Sequence, residues 1–182
     1  MKTDITRVLV EEHQLILRMI ALLEKNAPET AAGRYRNWQF YLDSVVFIRN
    51  YADRFHHAKE EDILFKALVD NGMPRENSPV AAMLMEHDQG RAYVRAIETA
   101  AQQAQSGNTE VHQTIADNAL AYAALLRDHI AKEDDILYPL AERVIPAAMR
   151  DGITQGYAAA ETAVPADFGE RYRAVALRYE QE

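Results

Sequence analysis

Two stretches of this chain repeat one another almost letter for letter: His56-His57-Ala58-Lys59-Glu60-Glu61-Asp62-Ile63-Leu64-Phe65 and His129-Ile130-Ala131-Lys132-Glu133-Asp134-Asp135-Ile136-Leu137-Tyr138. Superposed, His56 falls on His129, Glu60 on Glu133, and Asp-Ile-Leu-aromatic on Asp-Ile-Leu-aromatic. A His and a Glu four residues apart share one face of a helix, so each stretch aims an imidazole and a carboxylate at the same point. Two such faces turned toward each other enclose a cage of nitrogen and oxygen donors, the kind a pair of iron or manganese ions requires.

The rest of the chain is built to hold such faces. Thr3 or Asp4 can cap a first helix running to about Lys25, with Ile5, Leu9, Ile16, Ile20 and Leu23 on its apolar stripe and Pro28 and Gly33 breaking it. A second helix is predicted from about Tyr35 to Val69, closed by Asn71-Gly72-Met73-Pro74. Ser78-Pro79 reads as an N-cap with proline in the first turn of a third helix to about Gln105. Ser106-Gly107-Asn108 separates it from a fourth, about Thr109 to Val144, stopped by Pro146. No segment alternates apolar and polar residues as a strand does. The expectation is all-α: an up-down-up-down four-helix bundle over residues 1–146. Residues 147–182, interrupted by Gly152, Gly156 and Pro165, would be a short C-terminal helical extension packed on it, with a helix from about Phe168 to Tyr179.

Four of the six histidines fall on apolar stripes. His13 lies with Leu9, Ile16 and Ile20, and His87 with Met83, Val94 and Ile97. His129 lies with Tyr122, Leu125, Ile136 and Leu140, and has Glu133 on its own face. His56 and Glu60 complete the set through the repeat. A carboxylate on an apolar face costs several kcal/mol unless it is paired or bound to a cation. The predicted ligands are therefore His13, His56, Glu60, His87, His129 and Glu133. His57 and Glu61 form a second His-x-x-x-Glu pair one residue on. The internal repeat favours His56 and Glu60, and Asp53 and Arg54 make the alternative face look wetter. His112, four to five turns from His129, reads as a surface residue.

Four nitrogens and two carboxylates able to bridge suit two octahedral first-row ions, iron first and manganese second, rather than tetrahedral zinc or hard magnesium and calcium. With a bridging oxo or hydroxo oxygen, about one position per metal stays open for dioxygen, peroxide or nitric oxide. Cysteine is absent, which excludes disulfides, thiolate catalysis and Cys-type metal sites. The net charge is −8 and the basic residues are scattered, so no nucleic-acid partner is expected. No apolar run suggests a signal peptide or a membrane span. A cytoplasmic monomer or homodimer is expected.

These residues resemble the hemerythrin-like family, the HHE cation-binding domain, over about residues 5–145. The motifs are Glu12-His13, His56-x-x-x-Glu60, Glu86-His87-Asp88 and His129-x-x-x-Glu133. The resemblance implies a four-helix bundle around a non-haem di-iron centre bridged by two carboxylates, with the same six residues as ligands. Oxygen-carrying members have a second His one turn after the third-helix one, where this chain has Arg91. The resemblance thus implies one nitrogen fewer on one iron and disfavours reversible oxygen carriage. Asp88 and Asp134 are candidates to orient imidazoles. Gly90 could open a path to the metals and Arg91 could steer an anion. The function expected is a di-iron protein that reacts with or senses small oxidants. The alternatives are an iron-handling or iron–sulfur-repair protein with a labile centre and a purely structural metal; catalytic residues are unknown.

Overall fold

A computed structural model describes residues 3–182, and among them every regular element is helical. Helix α1 is Arg7–Ala31. Helix α2 (Trp38–Phe47) runs without a break through a π-helical segment, Ile48–His57, a second one, Glu60–Phe65, and α3 (Lys66–Asp70). Helix α4 is Pro79–Gln105. Helix α5 (His112–Lys132) continues through a third π segment, Glu133–Leu137, into α6 (Tyr138–Val144). Helices α7 (Ala147–Thr162) and α8 (Phe168–Glu180) close the chain. None of these helices is long and apolar enough to cross a membrane.

Local chemistry sets most boundaries. The Asp4 carboxylate accepts the backbone N–H groups of Thr6 and Arg7 at the start of α1. The side chains of Asn37 and Ser78 accept from Phe40 and Ala81 at the starts of α2 and α4. Pro28 does not end α1 as its chemistry suggests. The helix continues to Ala31 because Asn26, Ala27 and Thr30 are buried there, and the Thr30 and Tyr41 hydroxyls bond at 2.7 Å. The break falls instead at Gly33, whose φ of +72° is open to glycine at little cost.

The tail is more regular than expected, since Gly152 and Gly156 sit inside α7. Gly156 is there for contact. A Cβ at this position would lie 3.1 Å from Cδ1 of Ile63, so glycine lets α7 press against the second π segment. Arg150, 1% exposed, fastens the start of the tail. Its guanidinium donates to the Thr3, Glu142 and Ile145 carbonyls and to the Glu142 carboxylate. Helix α8 packs on α1 and α2.

Helix α1 packs on α5, α5 on α4, α4 on α2, and the first π segment returns the contact to α1. The apolar interior is divided in two. One part gathers Leu15 to Ala27, Phe40 to Ala52, Val94 to Ala104 and Ile115 to Ile130. The other gathers Ile5, Leu9, Leu64 to Leu68, Val80, Met83 and Leu137 to Ile145. Every long helical stretch passes from one part to the other. At the crossing each carries a histidine: His13 between Leu9 and Leu15, His56 and His57 between Ala52 and Leu64, His87 between Met83 and Val94, and His129 between Leu126 and Leu137. The fold thus seals a thin polar layer between two apolar ones.

Candidate metal centre

Seven buried side chains meet in that layer. His13, His56, Glu60 and Glu133 form one group and His57, Glu60, His87 and His129 another, with the donor atoms of each within 4.8 Å of one another. Glu60 belongs to both groups. The Glu133 oxygens lie 3.4 Å from Nε2 of His13 and 3.3 Å from Nε2 of His129, so Glu133 also faces both. All six residues singled out in the sequence are brought together. His112 stays outside, with its ring against Trp38.

Four of the five imidazoles are hydrogen-bonded to a carboxylate on the Nδ1 side, while the buried Nδ1 of His57 has no hydrogen-bond partner among the described residues. His13 faces Asp134 at 2.9 Å, His56 faces Glu12 at 2.9 Å, His87 faces Glu61 at 2.7 Å and His129 faces Glu86 at 2.9 Å. His57 lies 3.5 Å from Asp53. An ionised carboxylate only accepts, so it selects the tautomer with the proton on Nδ1 and leaves the Nε2 lone pair pointing inward. Nε2 of His87 and Nε2 of His129 then face each other at 3.0 Å. Two lone pairs at that separation repel, whereas two nitrogens bound about 2.1 Å from one ion at right angles are about 3 Å apart. His56 Nε2, Glu60 Oε2 and both Glu133 oxygens are buried without a hydrogen-bond partner among the described residues. A buried orphan of this kind is costly. Several converging on one point fit a cation.

Charge inside the layer is divided unevenly. Burial, and then the neighbouring Glu133, push the Glu60 carboxyl well above its ordinary range. Burial would raise Glu133 too, but His129 and His13 hold it well below. Burial pushes His56 well down and His57 down to about 3. His13, against its burial, is drawn up to about 9 by Asp134 and Glu133.

The two halves of the site are related by an approximate two-fold repeat. Glu12-His13 of α1 matches Glu86-His87 of α4, and Lys59 donates to Glu12 as Lys132 donates to Glu86. Lys59, 0% exposed on its side chain, is drawn in by Glu12. Tyr138 breaks the symmetry, since its hydroxyl donates to Glu60 and its counterpart in the repeat is Phe65.

The repeat favours His56 over His57; the fold buries both among the candidate donors. The face expected to be wet is closed, with His57 5% exposed and stacked on His87. The physical reason is the π-helical segment ending at His57. Its i→i+5 bonding widens the turn, and the two neighbouring rings straddle the line between the donor groups. The letters His-His-x-x-Glu contained this signal, because both i,i+3 and i,i+4 pairs are neighbours on a helix.

Arg91 is held by ion pairs beside the site. It donates to Asp53 and Glu61, the carboxylates behind His57 and His87, and to Asp88. The nitrogen that appeared lost at position 91 is matched by the imidazole of His57. Asp88 backs no imidazole; Asp134 does, together with Glu12, Glu61 and Glu86.

A family model described as the hemerythrin HHE cation-binding domain matches residues 4–141, and the chain belongs to that family. Among curated proteins it is 22% identical, over 139 residues, to uncharacterized proteins of Mycobacterium bovis and of two strains of Mycobacterium tuberculosis. The match covers 76% of this chain and 54% of theirs, so the chain spans about half the length of these relatives. No solved structure matches it significantly.

Proposed function

We propose that the seven residues hold two iron ions and that the centre reacts with small oxidants or senses them. His13 and His56 would serve one ion, His57, His87 and His129 the other, and Glu60 and Glu133 both. The observation that carries the reading is the convergence of unpartnered buried oxygens and inward lone pairs on two adjacent points that share Glu60. Five imidazole nitrogens and two shared carboxylates match the donor preference of iron, with manganese second, and exceed what one tetrahedral zinc takes.

The protein's part is orientation and exclusion of bulk water. Glu12, Glu61, Glu86 and Asp134 lock ring tautomers, and Lys59 and Lys132 hold two of those carboxylates in place. Bound iron would supply one-electron redox chemistry and an exchangeable position for dioxygen, peroxide or nitric oxide. The same backing favours a retained centre over one delivered to a client, because four of the five rings are fixed from behind. The physiological partner in this reading is a small molecule, and nothing in the site calls for nucleic acid or membrane.

Metal analysis of protein purified without a metal-binding tag tests the reading, together with its absorption spectrum in air and after anaerobic reduction. About two irons per chain and a spectrum that changes with peroxide or nitric oxide are expected. A single zinc, or iron that answers neither reagent, would overturn it.

A further inference from the structure

Each half of the internal repeat has one donor that the other half lacks. His57 stands where the second stretch has Ile130, and Tyr138 stands where the first has Phe65. The aromatic rings keep the same place in both halves. Phe65 stacks on His87 with 6.1 Å between ring centroids, and Tyr138 stacks on His13 at 5.6 Å. The three-imidazole end therefore gains a nitrogen from His57 and meets, at Phe65, a ring with no donor atom. The other end has two imidazoles and, at the matching place, a phenol oxygen.

Without that oxygen the donor count is uneven. Three imidazoles, the two shared carboxylates and a bridging oxygen fill an octahedron at one ion. His13 and His56 with the same shared oxygens leave the other ion one donor short. Tyr138 is 1% exposed, and its hydroxyl donates to Glu60, the carboxylate common to both groups. The same hydroxyl oxygen lies 3.5 Å from Nε2 of His13. The other donors of this group stand in the same relation. A Glu133 oxygen is 3.4 Å from Nε2 of His13, and a Glu60 oxygen is 3.7 Å from Nε2 of His56. Donors held about 2.1 Å from one ion are about 3–3.6 Å apart when the angle between them is about 90–120°. The phenol oxygen thus sits where a donor of this group sits.

We propose that Tyr138 is a ligand of the two-imidazole ion through its phenolate oxygen. This assignment rests on the di-iron reading and adds a donor to one ion only, so each ion has three donors of its own and two shared. Binding forms an oxygen–metal bond and breaks the O–H bond, and the proton leaves to solvent. The charge of the ion drives that loss, as it does when a coordinated thiol is deprotonated. A tyrosine oxygen is a competent donor to protein-bound iron. Being anionic and hard, it is held more strongly by ferric than by ferrous iron. The position is therefore filled in the oxidised protein and freed for a small molecule on reduction.

Visible and resonance Raman spectra of the protein loaded with ferric iron test the assignment. A phenolate-to-iron charge-transfer band and tyrosinate vibrations are expected. Both should be lost in Tyr138→Phe and kept in Tyr157→Phe, which removes another buried hydroxyl, carried by α7. Metal content is measured in each variant, so loss of iron is told apart from loss of the phenolate. Should Tyr138→Phe not fold, the vibrations of the unmodified protein decide. A second probe needs no redox chemistry. Gallium(III), which has the charge of ferric iron, should give the metal-free protein the ultraviolet difference absorption of one tyrosinate per chain, and should give Tyr138→Phe none. If iron binds but answers no oxidant, the oxidant reading fails and the vibrations still decide Tyr138. If iron does not bind, the di-iron reading fails and gallium decides. A phenol that only donates to Glu60 would give bound metal without tyrosinate signals. That result, signals that persist in Tyr138→Phe, or uptake of neither metal would overturn the proposal.

Discussion

The rings of His57 and His87 lie face to face, 3.7 Å between centroids and 9° between planes. They come from helical stretches with no sequence neighbourhood in common. Each lies beside a carboxylate, Asp53 or Glu61, that Arg91 holds. One arginine thus holds the carboxylates beside two imidazoles, and this end of the site gathers three imidazoles, His57 among them.

The first consequence concerns His57. Both His57→Ala and His56→Ala should lower the iron content, and by similar amounts, because each removes one donor from a different group. His112→Ala should leave iron unchanged. Metal-to-protein ratios after purification test this; a fully loaded His57→Ala would return the site to the six residues read from the sequence.

Glu12→Gln and Glu86→Gln remove the charge behind His56 and His129; buried Lys59 then keeps only the more distant Glu161, 3.9 Å away, and Lys132 is left to solvent. Metal affinity should drop about 10- to 100-fold in each, the usual effect of losing a carboxylate behind a ligating imidazole. Competition with a chelator of known affinity measures it. Lys59→Met combined with Glu12→Gln should be more stable than Glu12→Gln alone, since the single variant leaves a buried cation with that one distant partner.

Loading should be linked to pH in a definite direction. His13 is raised to about 9, so it carries a proton at neutral pH in the metal-free protein, and Glu60, pushed well up by burial and Glu133, holds its proton to higher pH than an ordinary carboxyl. Ligands bind metal deprotonated, so uptake releases those protons and apparent affinity falls as pH drops. Titration in weak buffer with a pH indicator should record release; proton-neutral uptake at pH 7 would contradict the assignment.

Arg150→Met should cost about 1–3 kcal/mol in denaturant unfolding, the order expected when hydrogen-bonded carbonyls lose their donor. The loss removes the donor of the Thr3, Glu142 and Ile145 carbonyls, while the Glu142 carboxylate keeps the backbone N–H of Ile5. Metal content of the folded fraction should be unchanged, as Arg150 touches no group of the centre.

The sequence alone determined the all-helical class and the cap at Ser78, and it left the first cap between Thr3 and Asp4. It also singled out six polar side chains on apolar stripes that the fold buries together, because 3.6-residue periodicity and the cost of a buried carboxylate are local facts. Only the tertiary structure decided how those donors divide into two groups sharing Glu60. It alone showed that Lys59 is drawn inward by Glu12, and that α7 closes on Ile63 through Gly156. His57 marks the boundary between the two kinds of knowledge. An ideal α-helix sends neighbouring residues about 100° apart, so one of two adjacent histidines must be discarded. Packing between two apolar layers supports a π-helical turn instead, and propensity read along the chain has no access to that distant contact.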